Sequence, residues 1–121
     1  MLELRKALNA QLKIVHPRVY FQQAPASSVF PYLVYDLPSL NDDGESLELV
    51  VVDVDGWSIN PDTTEIETLM AAVNTALNKQ VLSTDSMTVM LYLEQKLALI
   101  DDDPTIKRRK YVYQARMFRK G

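Results

Sequence analysis

Asp53 and Asp55 project from the same side of an alternating apolar stretch, and paired carboxylates of this kind are where metal or acid–base chemistry usually begins. With Glu94-Gln95-Lys96 they resemble a nuclease pattern, in which an Asp and a Glu-x-Lys on adjacent strands hold magnesium. The order of elements argues against it, because a whole helix is expected between the two strands. Asp101-Asp102-Asp103 could attract calcium, but three successive residues in one turn cannot all face one ion, and EF-hand spacing is absent. The only histidine, His16, precedes a proline and has no nucleophile or second ligand in view, so it reads as an exposed or helix-capping group. No serine sits in a G-x-S-x-G elbow, three glycines supply no phosphate loop, and there is no cysteine. The expectation is a protein without catalytic residues, metal or cofactor.

Charge order is the stronger signal. From Val19 to Asn78 there is no Lys or Arg, but there are ten acids: Asp36, Asp42, Asp43, Glu45, Glu48, Asp53, Asp55, Asp62, Glu65 and Glu67. From Pro104 to the end the pattern reverses, with Lys107, Arg108, Arg109, Lys110, Arg116, Arg119 and Lys120 and no acid. The expectation is one strongly negative and one strongly positive surface, able to dock head to tail on copies of the chain or on a partner of opposite sign. The basic run Lys107 to Lys110, followed by Tyr111 and Tyr113, also admits a nucleic-acid reading, with tyrosines stacking on bases. A net charge of −3 weighs against it.

The elements that must position these groups follow from periodicity. Leu4, Leu8 and Leu12 predict a helix over Leu2 to Val15, stopped by His16-Pro17. Val19 to Phe21 and Pro31 to Leu37 read as strands, and Pro38 to Ser46 as an exposed hairpin loop. Glu48 to Ile59 is a strand with Val50, Val52 and Val54 on one face and Asp53, Asp55 and Trp57 on the other. Gly56 marks a bulge or a close backbone approach. Asp62 with Glu65 suggests a capping box opening a second helix through about Lys79. Met87 to Ile100 alternates, with Met87, Val89, Leu91, Leu93, Leu97 and Leu99 expected on one face; a helix over Leu91 to Ile100 is the alternative, but the period-two count is better. Asp101 to Thr105 is a turn, and Lys107 to Lys120 is a strand whose Tyr111, Tyr113, Ala115 and Met117 face inward. The 121 residues, 47% hydrophobic and 24% charged, suit one domain. The fold class is α+β: a mostly antiparallel or mixed sheet with two amphipathic helices packed on one face. No stretch reads as a signal peptide or membrane span.

Phe30-Pro31-Tyr32-Leu33-Val34-Tyr35, a long strand ending near Trp57, a helix opened by Pro-Asp, and a hairpin turning at Asp101-Asp102-Asp103 into a basic-aromatic strand together resemble the tail-completion or tail-terminator proteins of long-tailed bacteriophages. The resemblance implies a structural virion protein that forms a ring, typically hexameric, caps the head-proximal end of the tail tube and joins it to the neck or connector. It implies the chain itself, a tail-tube protein and a neck protein as partners, DNA only as cargo through the lumen, and no membrane. It also implies a place in the virion tail, reached from the host cytoplasm during assembly. The interface expected on this reading comprises Lys107, Arg108, Arg109, Lys110, Arg116 and Arg119 against Asp42, Asp43, Glu45, Asp53 and Asp55. Reversing Arg108 and Arg109 to Glu is then expected to abolish the ring and leave the monomer folded. A neck or head-completion adaptor and a small nucleic-acid-binding module are the alternatives.

Overall fold

In a computed structural model, the structure describes residues 2–42 and 47–120. Two 14-residue helices, α1 (Leu2–Val15) and α2 (Thr64–Leu77), accompany six strands: β1 (Val19–Phe21), β2 (Tyr32–Asp42), β3 (Leu47–Ser58), β4 (Val81–Ser83), β5 (Met87–Ile100) and β6 (Lys107–Arg119). The strands form one mixed sheet in the order β1-β2-β3-β6-β5-β4, with β1 parallel to β2 and every other pair antiparallel. Among the described residues no helix is long and apolar enough to cross a membrane.

The alternation of β3 decides the layering. Val50, Val52 and Val54 are fully buried, and their cross-strand neighbours Ala115, Tyr113 and Tyr111 turn to the same side. Leu4, Leu8 and Leu12 of α1 and Ile66, Met70, Val73 and Leu77 of α2 close over that side and complete the core. Tyr35 donates its hydroxyl proton to the Arg5 carbonyl of α1 at 3.2 Å, and Tyr113 donates to Asn74 of α2 at 3.0 Å. Both helices therefore lie on one face of the sheet, and no described element covers the other.

Several local expectations need correction. The strand expected to end at Leu37 runs on to Asp42, through Pro38, which was expected in a loop. Proline fits there because the β2–β3 register shifts between Asp36 and Ser39, and the short β1 leaves that part of β2 as an edge where no ladder donor is needed. Residues 43–46 of the expected loop lie outside the described residues. The capping box does not form. The Asp62 carboxylate sits one residue before the N-cap position, Thr63, and accepts from the Thr64 amide at 2.9 Å, while Glu65 accepts from the Ser58 hydroxyl at 2.7 Å. Gly56 carries no register shift, so close approach rather than a bulge explains it.

The largest departure is in β5. Its register against β6 shifts between Leu93 and Gln95, so the strand changes face in mid-course. Met87, Val89 and Leu91 are buried under the helices, but Leu97 and Leu99 pair with Lys110 and Arg108 on the opposite face. Asn78, just past the end of α2, sits at this irregularity and accepts from the Leu93 amide at 2.8 Å. Replacing it with alanine orphans that amide. Asn78→Ala should cost about 1 kcal/mol of stability, read as a lower denaturant midpoint with an unchanged slope.

Candidate functional site

The face of the sheet left open by the helices carries the candidate interface. It is built by cross-strand pairing. Asp53 stands opposite Val112, Asp55 opposite Lys110, and Trp57 opposite Arg108. On the other side of β3, Asp36 meets Asp53, Val34 meets Asp55, and Tyr32 meets Trp57. Leu49 and Val51 continue the face towards the other end of β3. All of these side chains outside β2's Tyr32 are half-buried with no described layer above them.

The two charged strands that lie far apart in sequence are immediate neighbours in the sheet. Lys110 lies 3.8 Å from Asp53 and 3.9 Å from Asp55, and Arg108 lies 3.8 Å from Asp55 and 3.9 Å from Asp101. Arg119 pairs with Glu48 at 2.9 Å, and Arg109 turns to the helix face, where it pairs with Glu67 of α2. The expected separation into one acidic and one basic surface is thus replaced by an internal zipper. Antiparallel pairing of β3 with β6 places opposite charges side by side, which favours the sheet at the expense of long-range segregation.

Burial leaves its mark on this zipper. Desolvation raises the Asp53 and Asp55 carboxyls above the ordinary aspartate value, and the Lys110 and Arg108 charges only partly oppose that rise. One carboxylate oxygen of each, Oδ1, is buried and finds no hydrogen-bond partner among the described residues, and the same holds for Trp57 Nε1 and Arg108 Nε. These four atoms lie within five consecutive residue pairs of β3 and β6, all on the open face. The Arg108 guanidinium stacks over the Trp57 ring at 3.9 Å, and Trp57 stacks in turn on Tyr32 at 5.8 Å. Tyr20 and Phe30 pack against Tyr32 and extend the aromatic corner.

Of the expected interface residues, the structure brings Asp53, Asp55, Arg108 and Lys110 together on the open face. Arg116 stands on the same face over the Tyr92 ring at 5.4 Å. Arg109 and Arg119 are engaged elsewhere, and the Lys107 ammonium reaches the Pro104 carbonyl at 3.2 Å beside the turn. Asp42 lies at the end of β2, while Asp43 and Glu45 fall outside the described residues. The sequence reading missed the Tyr32–Trp57–Arg108 stack. Its signal was available in the placement of Trp57 on the Asp55 face, but it required the register of β2 and β6 against β3.

The competing chemistries lose their geometry. β6 separates β3 from β5, so Asp53 and Glu94 are not on adjacent strands. Among the described residues no group of three His, Cys, Asp or Glu side chains could hold a metal ion. Tyr111 and Tyr113 face inward, as the alternation of the strand predicts, and Tyr113 is fully buried, which removes both rings from the base-stacking alternative. His16 is half-buried, and its Nδ1 accepts from the Arg18 amide at 3.1 Å; burial holds its pKa below the ordinary histidine value.

The chain is thus a one-sheet α+β scaffold with two helices on one side and a partly apolar, charge-zippered face on the other. Residues 3–117 match the family model described as tail completion protein gp17, and the chain belongs to that family of phage-tail structural proteins. The fold is shared with a chain of a solved structure titled virion of native gene transfer agent (GTA) particle. The TM-score is 0.76 at 17% identity, over 95% of this chain and 94% of that one. A second solved chain is similar with a TM-score of 0.63 at 14% identity, over 98% of this chain and 91% of the other. No curated protein sequence matches the chain.

Proposed function

We propose that the protein is the subunit of a ring that closes the head-proximal end of a phage-type tail tube and joins it to the neck. The observation that supports this most is the family match across residues 3–117. Two features of the chain fit it. The open sheet face presents half-buried apolar groups, among them Val34, Leu49, Val51 and Val112, that an adjoining subunit or tube would cover. That face is also charge-balanced, with Asp36, Asp53 and Asp55 against Arg108, Lys110 and Arg116, so it suits a protein contact better than it suits binding of DNA. In this role the chain acts in the virion tail, with copies of itself, the tube protein and a neck protein as partners, and DNA passes through the ring as cargo.

The test is native mass across protein concentrations and salt, followed by co-sedimentation with purified tail tubes and, separately, with portal assemblies. A defined ring-sized oligomer that co-sediments with tubes is expected. Binding to portal but not to tubes would replace this reading with a neck adaptor. A salt-dependent shift of DNA mobility without either binding would replace it with a nucleic-acid module.

A further inference from the structure

The internal zipper pairs most of the β3–β6 charge within the chain, so charge complementarity between copies is sought elsewhere. Two patches qualify. The first is the turn at the end of β5. Ile100 is 99% exposed, the extreme among the large apolar side chains of the described residues, and it leads directly into Asp101, Asp102 and Asp103. Its exposure follows from the face change in β5, which carries it to the helix side of the sheet, opposite Lys107 and beyond the core. Asp101 is held by Arg108, whereas Asp102 and Asp103 form no ion pair among the described residues.

The second patch is a groove of about 310 Å³ between α1 and the β1–β2 edge, lined by Leu2, Arg5, Phe21 and Leu37. Leu2 is 59% exposed at its mouth, and the Arg5 guanidinium lies on the Phe21 ring at 4.4 Å. Arg5 and its neighbour Lys6 form no ion pair among the described residues. The groove has an apolar floor and a basic rim, and the turn has an apolar knob and an acidic collar. They lie at opposite edges of the sheet, with β3 and β6 between them, so neither serves the other within one copy.

Resting on the ring reading above, we infer that Ile100 and the Asp101–Asp103 turn of one copy dock into the α1–β1–β2 groove of the next. Two different patches meeting in this way make a heterologous contact, the kind that repeats around a closed ring. Apolar burial supplies the attraction, and the acid–base collar fixes orientation. Strand addition between the open edges of β2 and β5 is the competing geometry. It is disfavoured because each edge carries a register shift, with Pro38 in one and Lys96 in the other.

The chain has no cysteine, which makes disulfide trapping unambiguous. Leu2→Cys/Ile100→Cys, oxidised at high protein concentration with and without tail tubes, should give a covalent ladder ending at the ring's subunit number, and neither single variant should. Ile100→Asp should weaken association roughly ten- to a hundredfold with an unchanged melting temperature, since the side chain is exposed in the monomer. Arg5→Glu/Lys6→Glu and Asp102→Lys/Asp103→Lys should each weaken it, and their combination should restore it. An oligomer of defined mass that yields no ladder and ignores Ile100→Asp overturns this contact and leaves the ring reading standing. A chain that stays monomeric on tail tubes, or whose Ile100→Asp variant loses only tube binding, overturns the contact between copies and assigns the turn to the tube. Failure to bind tubes or portal at all sinks the functional reading itself.

Discussion

Gly56→Val should lower the stability of the protein by about 3 kcal/mol, enough to threaten folding at physiological temperature. Gly56 sits near the C-terminal end of β3, on the core face between Val54 and Ser58, where α2 packs on the sheet. A β-carbon placed there would stand 2.6 Å from Met70 Sδ and 2.9 Å from Ile66 Cδ1. Both side chains are fully buried, so neither can swing into solvent, and they must repack within the core or the helix must lift. The backbone conformation is not the reason for glycine here; the absent side chain is, because it lets a methionine lie directly on the strand. Alanine at this position should therefore already cost part of the effect. Combining Gly56→Ala with Met70→Val should cost less than the sum of the two single changes, as contacting residues do. Thermal or denaturant unfolding of the four proteins measures this. A Gly56→Val protein as stable as the parent would mean that α2 does not rest on β3 as described.

The same strand shows how far the sequence could be read. The alternation from Glu48 to Ile59 is legible because a half-buried antiparallel strand obeys a period of two without interruption, and the strand ends one residue earlier, at Ser58. Both helices were legible for the corresponding reason, with leucines every four residues in α1 and Ile66, Leu69, Met70, Val73 and Leu77 in α2. What periodicity cannot convey is a register shift. In β5 the residues Leu91, Leu93, Leu97 and Leu99 keep a perfect period of two, yet the bulge at Leu93 to Gln95 turns the last pair to the open face. No local residue type announces this; the irregularity is partly held by Asn78, fifteen positions earlier. Charge suffered the same limit. Ten acids followed later by seven bases suggested two distant surfaces, and only the strand order β3-β6 reveals that they interlock. The turn Asp101–Asp103 was visible from sequence, but the exposed Ile100 beside it depended on the face change and was not.

Arg108→Glu should destabilise the monomer by about 2–3 kcal/mol, contrary to the expectation that this charge could be reversed without touching the fold. The wild-type guanidinium lies between Asp55 and Asp101 and stacks on Trp57, with only 21% of its side chain exposed. Glutamate would lose all three contacts and set a third carboxylate beside two that are already there. A neutral replacement separates packing from charge. Arg108→Leu keeps an apolar body against Trp57 but leaves Asp55 dependent on Lys110 alone, and it should cost less. Its cost should also depend on pH in a defined direction. The Asp55 carboxyl is already raised by desolvation, and removing the arginine raises it further. A carboxyl whose folded value exceeds its unfolded value of 3.8 favours folding below that value, and the benefit disappears as pH rises through the folded value. The stability gap between parent and Arg108→Leu should therefore be widest at neutral pH and narrow on acidification towards pH 4. Urea unfolding at the two pH values reads this directly. A gap that is constant with pH would place the arginine's contribution in the Trp57 stack rather than in the zipper. It would also make the Asp55–Arg108 pair dispensable, freeing Arg108 to serve a contact between subunits after all.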